Sequence, residues 1–183
     1  MSRLDSVVSR GLPYIINTLF DSIFTILGIV VGGAFGSVID IRAIIGTMVI
    51  ASISLGVSSG FSVYEAETIQ EERRINKIEE ALLTDLENTV ITEESKLVTI
   101  LSAVLVFFTP LLTSIATLIP FFLVNFGLIG PNRSIFYAVI IDLFLLFTTG
   151  MVFGGERRLL KGIRMTVLGG LVFILGLLLN RMM

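Results

Sequence analysis

The stretch Asp21-Ser-Ile-Phe-Thr-Ile-Leu-Gly-Ile-Val-Val-Gly-Gly-Ala-Phe-Gly36 decides the fold, because it is an apolar, glycine-rich run that starts with a carboxylate. A charged side chain inside hydrocarbon costs roughly 2.5 to 3.5 kcal/mol even on lenient insertion scales. It therefore persists chiefly where it faces a partner, a cavity or an ion path. Asp21 is the first candidate for a transport site.

The composition of the rest of the chain also indicates a membrane protein. Of the 183 residues, 54% are hydrophobic, and the mean hydropathy is +0.96. A soluble core of this length could not bury so much apolar surface. The absence of Cys and His excludes disulfides, thiolate metal sites and imidazole ligands. The net charge of -2 argues against a nucleic-acid partner, and no nucleotide-binding or hydrolase motif appears.

Apolar segments of spanning length, about 20 residues at a rise of 1.5 Å each, fall at 13–39, 43–63, 97–126, 134–153 and 160–179. They predict an all-α integral membrane protein with five transmembrane helices. The third segment contains Pro110 and Pro120. We expect these prolines to kink it, since neighbouring helices in a bundle can satisfy the freed carbonyl groups.

One sizeable polar segment, 64–96, separates residues 1–63, with spans one and two, from residues 97–183, with spans three to five. Residues 61–87 contain no Gly or Pro and are rich in helix-forming side chains. Span two is therefore predicted to continue out of the membrane as one helix and to return to span three as a short helical hairpin. The three parts form a single membrane domain.

The basic residues predict the orientation of the chain. Of the thirteen Lys and Arg residues, only Arg42, Arg133 and Arg181 fall on the side opposite to the other ten. Because cytoplasmic loops carry the excess of basic residues, we expect a cytoplasmic N-terminus, a cytoplasmic hairpin and an outside C-terminus.

Four residues of the spans are candidates for a transport path. Asp21 has no Lys or Arg at helical spacing between Arg10 and Arg42. The structural alternative for Asp21 is an inward-facing acid bonded to hydroxyls of span two, such as Ser54, Ser58, Ser59 or Ser62. Asp142 also lies at membrane depth and is a weaker candidate. The Met48 thioether would favour Fe²⁺ over Mg²⁺, although membrane methionines more often only pack. The candidates for the path are Asp21, Ser54, Met48 and Asp142.

The glutamates of the hairpin predict a metal-gathering surface. At 100° per residue, the following fall within roughly 100° of one another on a helix: Glu65, Glu72, Glu79, Glu80 and Glu87. Hard oxygen ligands suit Fe²⁺, Mn²⁺, Mg²⁺ and Ca²⁺. The alternative is a solvated helix face whose charges only strengthen the helix.

Glycines recur at four-residue spacing in the spans, and such pairs let helices approach closely, within a chain or across a dimer interface. The candidates for this packing are Gly28, Gly32, Gly36, Gly56 and Gly60.

Taken together, these segments resemble the vacuolar iron transporter family, five-span dimeric carriers that move Fe²⁺, and sometimes Mn²⁺, out of the cytosol in exchange for protons. Residues 20–34 are similar to the family's first-span motif, and 51–67 to its second span with a Glu-rich cytoplasmic helix. Residues 107–120 and 160–170 are similar to its proline-containing third span and the start of its last span. Leu55 stands where family members carry a methionine, and the cytoplasmic segment is shorter than in the plant and fungal members.

The resemblance implies a role for the carboxylates: Asp21 would pass the metal, and Glu65, Glu72, Glu79 and Glu80 would gather it. The expected protein is a homodimeric secondary transporter, not an enzyme, with Fe²⁺ or Mn²⁺ as substrate and no prosthetic group. Proton antiport would follow if Asp21 must lose a proton before it binds metal. The compact chain favours a prokaryotic source and hence the plasma membrane.

Two alternatives stay open. The first is a non-transporting membrane scaffold that docks a soluble partner through the acidic hairpin. The second is a carrier of another cation or of a small solute.

Overall fold

The computed structural model describes residues 3–34, 39–82 and 90–182, and the regular structure in these ranges is entirely helical. The five α-helices are α1 Arg3–Gly33, α2 Ile41–Leu82, α3 Val90–Asn125, α4 Pro131–Val152 and α5 Arg158–Met182, and a 3-10 turn Gly155–Arg157 precedes α5. All five are long and apolar enough to cross a membrane. The prediction of an all-α membrane protein with five spans is thus confirmed at the level of the helices.

The boundaries of the first two spans differ from the predicted ones. α1 ends at Gly33 rather than at 39, and α2 begins at Ile41. The start of α2 is explained by Asp40, whose Oδ1 accepts hydrogen bonds of 3.0 Å from the backbone N–H groups of Arg42 and Ala43. A side-chain oxygen placed in this way satisfies N–H groups that have no partner inside the helix.

The contacts of α1 and α3 with α2 show how the first three helices run. The Tyr14 hydroxyl accepts a hydrogen bond from the Gln70 side chain, while Gly33 meets Ile44 at the opposite end of the pair. α1 and α2 are therefore antiparallel. α2 and α3 are antiparallel as well, because Gly56 lies against Phe107 and Gly60 against both Phe107 and Ala103. These two glycines thus lie where α2 and α3 approach each other closely.

The last helices continue this alternation. α3 and α4 meet at Thr117 and Asp142, and α4 and α5 meet where Gly150 lies against Gly162. We call the end of the bundle where α2 ends and α3 begins the hairpin end. The opposite end is the loop end. The 3-10 turn before α5 lies at the hairpin end.

α2 is the longest helix, with 42 residues, or about 63 Å at 1.5 Å per residue. A hydrocarbon core is about 30 Å thick, so a large part of α2 extends beyond a membrane at the hairpin end. The predicted continuation of span two agrees with α2 as far as Leu82. The turn of the predicted hairpin and Glu87 fall outside the described residues. Pro110 and Pro120 both lie inside α3, which continues through them.

The interior has two zones. Towards the loop end it is an apolar cluster that includes Ile26, Leu27, Val30, Met48 and Phe121. Towards the hairpin end it holds buried hydroxyl groups, namely Thr18, Ser22, Thr99, Ser102, Thr109, Thr113 and Thr117. The outer surface is strongly apolar, with Phe61, Leu112 and Phe136 each more than 60% exposed. A surface of this kind is suited to lipid rather than water.

Candidate transport site

Asp21 lies on the outer surface of α1, halfway along the candidate span Gly11–Gly33. Its Oδ2 accepts a hydrogen bond of 3.1 Å from the Asn17 side chain, and its backbone carbonyl accepts one of 2.7 Å from the Thr25 hydroxyl. The alternative of an inward-facing Asp21 bonded to hydroxyls of α2 is therefore wrong. α1 directs this carboxylate away from the chain's own interior.

Asp21 belongs to a narrow polar stripe on α1. Five exposed residues fall within about 80° of arc at 100° per residue; they are Asn17, Asp21, Thr25, Gly28 and Gly32, and we call them the Asp21 face. A Cβ added at Gly28 or at Gly32 would meet no atom within 4 Å. Among the described residues, these two glycines thus have no packing partner at the Cβ position, unlike Gly56 and Gly60. Gly36 falls outside the described residues.

A second exposed polar stripe runs along α2. It consists of small hydroxyl side chains followed by a carboxylate, namely Thr47, Ser54, Ser58, Ser62 and Glu65. The α1–α2 register given by Tyr14 with Gln70 and by Gly33 with Ile44 places Ser58 and Ser62 at about the level of Asp21. Ser54 lies one turn further towards the loop end.

Met48 does not belong to either stripe. Its side chain is fully buried in the apolar cluster at the loop end, together with Ile26 and Val30. The structure therefore does not bring the thioether next to Asp21, and Met48 packs as most membrane methionines do. Leu55 is half-buried on the same helix.

Residues 64–82 of α2, which we call the α2 extension, carry glutamates that form a line rather than a cluster. Glu65, Glu72 and Glu80 are exposed and Glu79 is half-buried, and the 15 residue steps from first to last cover about 22 Å along the helix. Within the described ranges, no three carboxylates come close enough to hold a metal ion. The metal-gathering role of these glutamates stays a prediction.

A cleft of about 880 Å³ lies towards the hairpin end between Pro13 and Tyr14 of α1 and the α2 extension. Its lining includes Tyr14, Glu67 and Gln70 together with basic side chains of α2. Glu67 is only 6% exposed and interacts with the Tyr14 hydroxyl. Glu67 was not predicted from the sequence, because its position lies outside the helix face that the predicted metal-gathering glutamates share.

Asp142 is the second carboxylate at mid-span, and it points inwards. It is the twelfth of the 22 residues of α4, its side chain is 0% exposed, and its Oδ1 accepts a hydrogen bond from the Thr117 hydroxyl of α3. Thr117 and Asp142 lie at nearly equal distances along the chain from the α3–α4 connection. Their pairing could therefore have been predicted from the sequence. The structure thus separates the two membrane carboxylates, one on the outer surface and one in the interior.

These features define a class of protein, a five-span, all-helical membrane protein with one exposed and one buried carboxylate at mid-span. No family model matches the chain, and neither a curated protein nor a solved structure gives a significant match.

Proposed function

We propose that this chain is a secondary transporter for a divalent transition metal, Fe²⁺ or Mn²⁺, and that the metal crosses the bilayer along the Asp21 face between two copies of the chain. The observation that carries the proposal is the exposure of Asp21 at the middle of a candidate span. A carboxylate facing lipid at that depth is costly. A second protein surface or a polar path must therefore cover it.

A second copy of the same chain is the simplest cover for this face. Gly28 and Gly32 leave open space on the Asp21 face. Small residues four apart allow close approach of helices in membranes. In a two-fold dimer the same patch of each copy faces the other. The two Asp21 carboxylates would then lie near each other, and a divalent cation would relieve their repulsion.

The α2 extension supplies the entrance in this proposal. Glu65, Glu72, Glu79 and Glu80 follow the polar stripe of α2 away from the membrane, and pairing two copies would double the number of carboxylates available to one ion. The excess of Lys and Arg at the hairpin end supports a cytosolic location for that end. The direction of transport would then be export, with protons as the exchanged ion.

The test is metal uptake into proteoliposomes under an imposed pH gradient, with Fe²⁺ as substrate and Mn²⁺ and Mg²⁺ as competitors. Asp21→Asn is expected to lower the Fe²⁺ flux at least about tenfold, a loss of about 1.4 kcal/mol. The matched control is Glu156→Gln, the same change of carboxylate to amide at an exposed position in the 3-10 turn before α5. Equal fluxes in wild type and Asp21→Asn would reject the proposal.

The two rival functions predict other results. In a scaffold that docks a soluble partner, Asp21→Asn is silent, whereas removal of the exposed glutamates on α2 abolishes capture of the partner. In a carrier of another solute, the folded, reconstituted protein moves no Fe²⁺ or Mn²⁺, and neither metal raises its melting temperature.

A further inference from the structure

Only one of the two oxygens of the buried Asp142 carboxylate has a hydrogen-bond partner among the described residues. Its Oδ1 bonds to the Thr117 hydroxyl, whereas its Oδ2 is buried without a hydrogen-bond partner in the described part of the chain. Within about one turn on either side of Asp142, the buried residues of α4 are the apolar Ala138, Val139 and Leu146, and the next buried hydroxyl groups of this helix are those of Ser134 and Thr149, about two turns away. A buried polar atom without a partner in a native structure calls for an explanation.

No positive charge compensates this carboxylate within the described side chains. α4 packs against α1, α3 and α5. Every charged side chain described on these three helices is exposed, namely Asp21 on α1, Lys96 on α3, and Arg158, Lys161, Arg164 and Arg181 on α5. Asp142 interacts with Thr117 and with none of them. An isolated carboxylate in a low-dielectric interior is stable chiefly in its neutral, protonated form.

A row of hydroxyl groups leads from the hairpin end to this carboxylate. Its members lie on α3 within about 80° of arc at 100° per residue and are all buried; they are Thr99, Ser102, Thr109, Thr113 and Thr117. We call them the α3 hydroxyl row. From first to last the row covers 18 residue steps, or about 27 Å. Thr99 borders a pocket of about 240 Å³ at the hairpin end.

The row is linked to α1 and ends at Asp142. Ser22 donates a hydrogen bond of 3.3 Å to the Thr113 hydroxyl, and the Ser102 hydroxyl is buried without a partner among the described residues. Beyond Asp142, towards the loop end, the apolar cluster with Phe121 and Val30 closes the interior. The hydroxyl groups of the row therefore all lie between Asp142 and the hairpin end, and buried Val106 occupies the same face of α3 between Ser102 and Thr109.

We propose that Asp142 and Thr117 form a proton-binding site in the middle of the bundle, which protons reach from the hairpin end along the α3 hydroxyl row. The site lies on the inner side of α1, whereas the Asp21 face lies on the outer side. Proton and metal thus bind on opposite sides of one helix. The inference that the proton drives metal movement rests on the proposed function. The inference that Asp142 binds a proton does not depend on it.

Infrared spectroscopy of the reconstituted protein near neutral pH tests the site itself. Asp142→Asn is expected to remove the C=O stretching band of a protonated carboxyl group, and Thr117→Val is expected to shift that band, because the hydrogen bond to it is lost. Asp21→Asn, which changes the outward carboxylate, serves as the control for the Asp142 band. A spectrum in which neither Asp142→Asn nor Thr117→Val changes a carboxyl band would overturn the proposal. If Asp142→Asn fails to fold, the shift in Thr117→Val decides alone.

Transport in proteoliposomes tests the coupling. Asp142→Asn is expected to lose the stimulation of metal flux by a pH gradient, measured in each variant as the ratio of the flux with the gradient to the flux at equal pH on both sides. Stimulation equal to that of wild type would overturn the coupling role. If wild type moves no metal at all, the proposed function fails, while the infrared result still decides whether Asp142 binds a proton.

Discussion

Asp21 and Ser22 are consecutive residues that α1 directs to opposite sides. The Asp21 side chain is exposed, whereas Ser22 is fully buried and its hydroxyl contacts Leu19 O and Thr113 Oγ1. One residue step turns a helix by 100°, so neighbours in sequence meet different surroundings. A substitution at Asp21 is expected to affect the outer face, and one at Ser22 the interior.

Gly56 and Gly46 give a matched pair of substitutions on α2. A Cβ at Gly56 would lie 2.6 Å from the Phe107 carbonyl oxygen, whereas one at Gly46 would meet nothing within 4 Å. We expect Gly56→Ala to destabilise the protein by about 1 to 3 kcal/mol through overpacking. Gly46→Ala is expected to be neutral or to stabilise by about 0.5 to 1 kcal/mol, since Ala is the better helix former.

Thermal unfolding of both variants in the same detergent measures this difference. Equal melting temperatures would mean that α2 and α3 do not approach each other as closely at Gly56 as described.

The two membrane carboxylates could be found from the sequence, but their surroundings could not. An Asp in an apolar run is visible at both 21 and 142. Whether each faces inwards depends on which helices pack against it, and that is a property of the tertiary arrangement. The interior acid bonded to a hydroxyl is Asp142, whereas Asp21, for which this arrangement was the structural alternative, is exposed and bonded to Asn17.

At the scale of the helix, α1 is packed on one side and open on the other. Ile23, Ile26, Leu27 and Val30 are all 0% exposed, whereas the Asp21 face has no packing partner within the described chain at its glycines. A spanning helix with one small, polar face is suited to contact another protein surface. The proposed dimer uses this face.

Gly28→Leu is expected to weaken the dimer without unfolding the chain, because the new side chain enters open space within one copy but fills the proposed interface. The matched control is Gly170→Leu on α5, where an added Cβ likewise meets nothing within 4 Å. Light scattering coupled to size-exclusion chromatography in detergent measures the oligomeric state. A dimer that survives Gly28→Leu as well as Gly170→Leu would exclude the Asp21 face from the interface.

The helices were predicted more accurately than their ends. The apolar runs identified all five, because each is longer than a bilayer requires. The end of α1 was placed too late, since the apolar residues continue past Gly33. Asp40 was a visible start signal for α2, because Asp at the N-cap position is favoured, but the continuous hydropathy of the region concealed it.

At the scale of the whole molecule, the alternating helices place the end of α2, the start of α3 and the α4–α5 turn at one end. The basic residues of the sequence are concentrated at that end, which is the basis for predicting that it faces the cytosol.

Single cysteines can test this orientation cleanly, since the chain has no Cys of its own. Asn76→Cys, exposed on the α2 extension, is expected to react with a membrane-impermeant maleimide only after the cytosolic side is opened. Asn132→Cys, exposed in the first turn of α4 at the loop end, is expected to react in intact cells. The reverse pattern would invert the topology and turn the proposed export into import.

The continuous length of α2 has a mechanical consequence. A single 42-residue helix carries both the exposed serines of the span and the glutamates outside it, with no Gly or Pro between Phe61 and Leu82 to act as a joint. Such a helix is stiff along its whole length. A tilt of a few degrees within the membrane would therefore move its far end by several ångströms. An ion bound between the far ends of two α2 helices in the proposed dimer would also restrain the angle at which these helices cross the membrane.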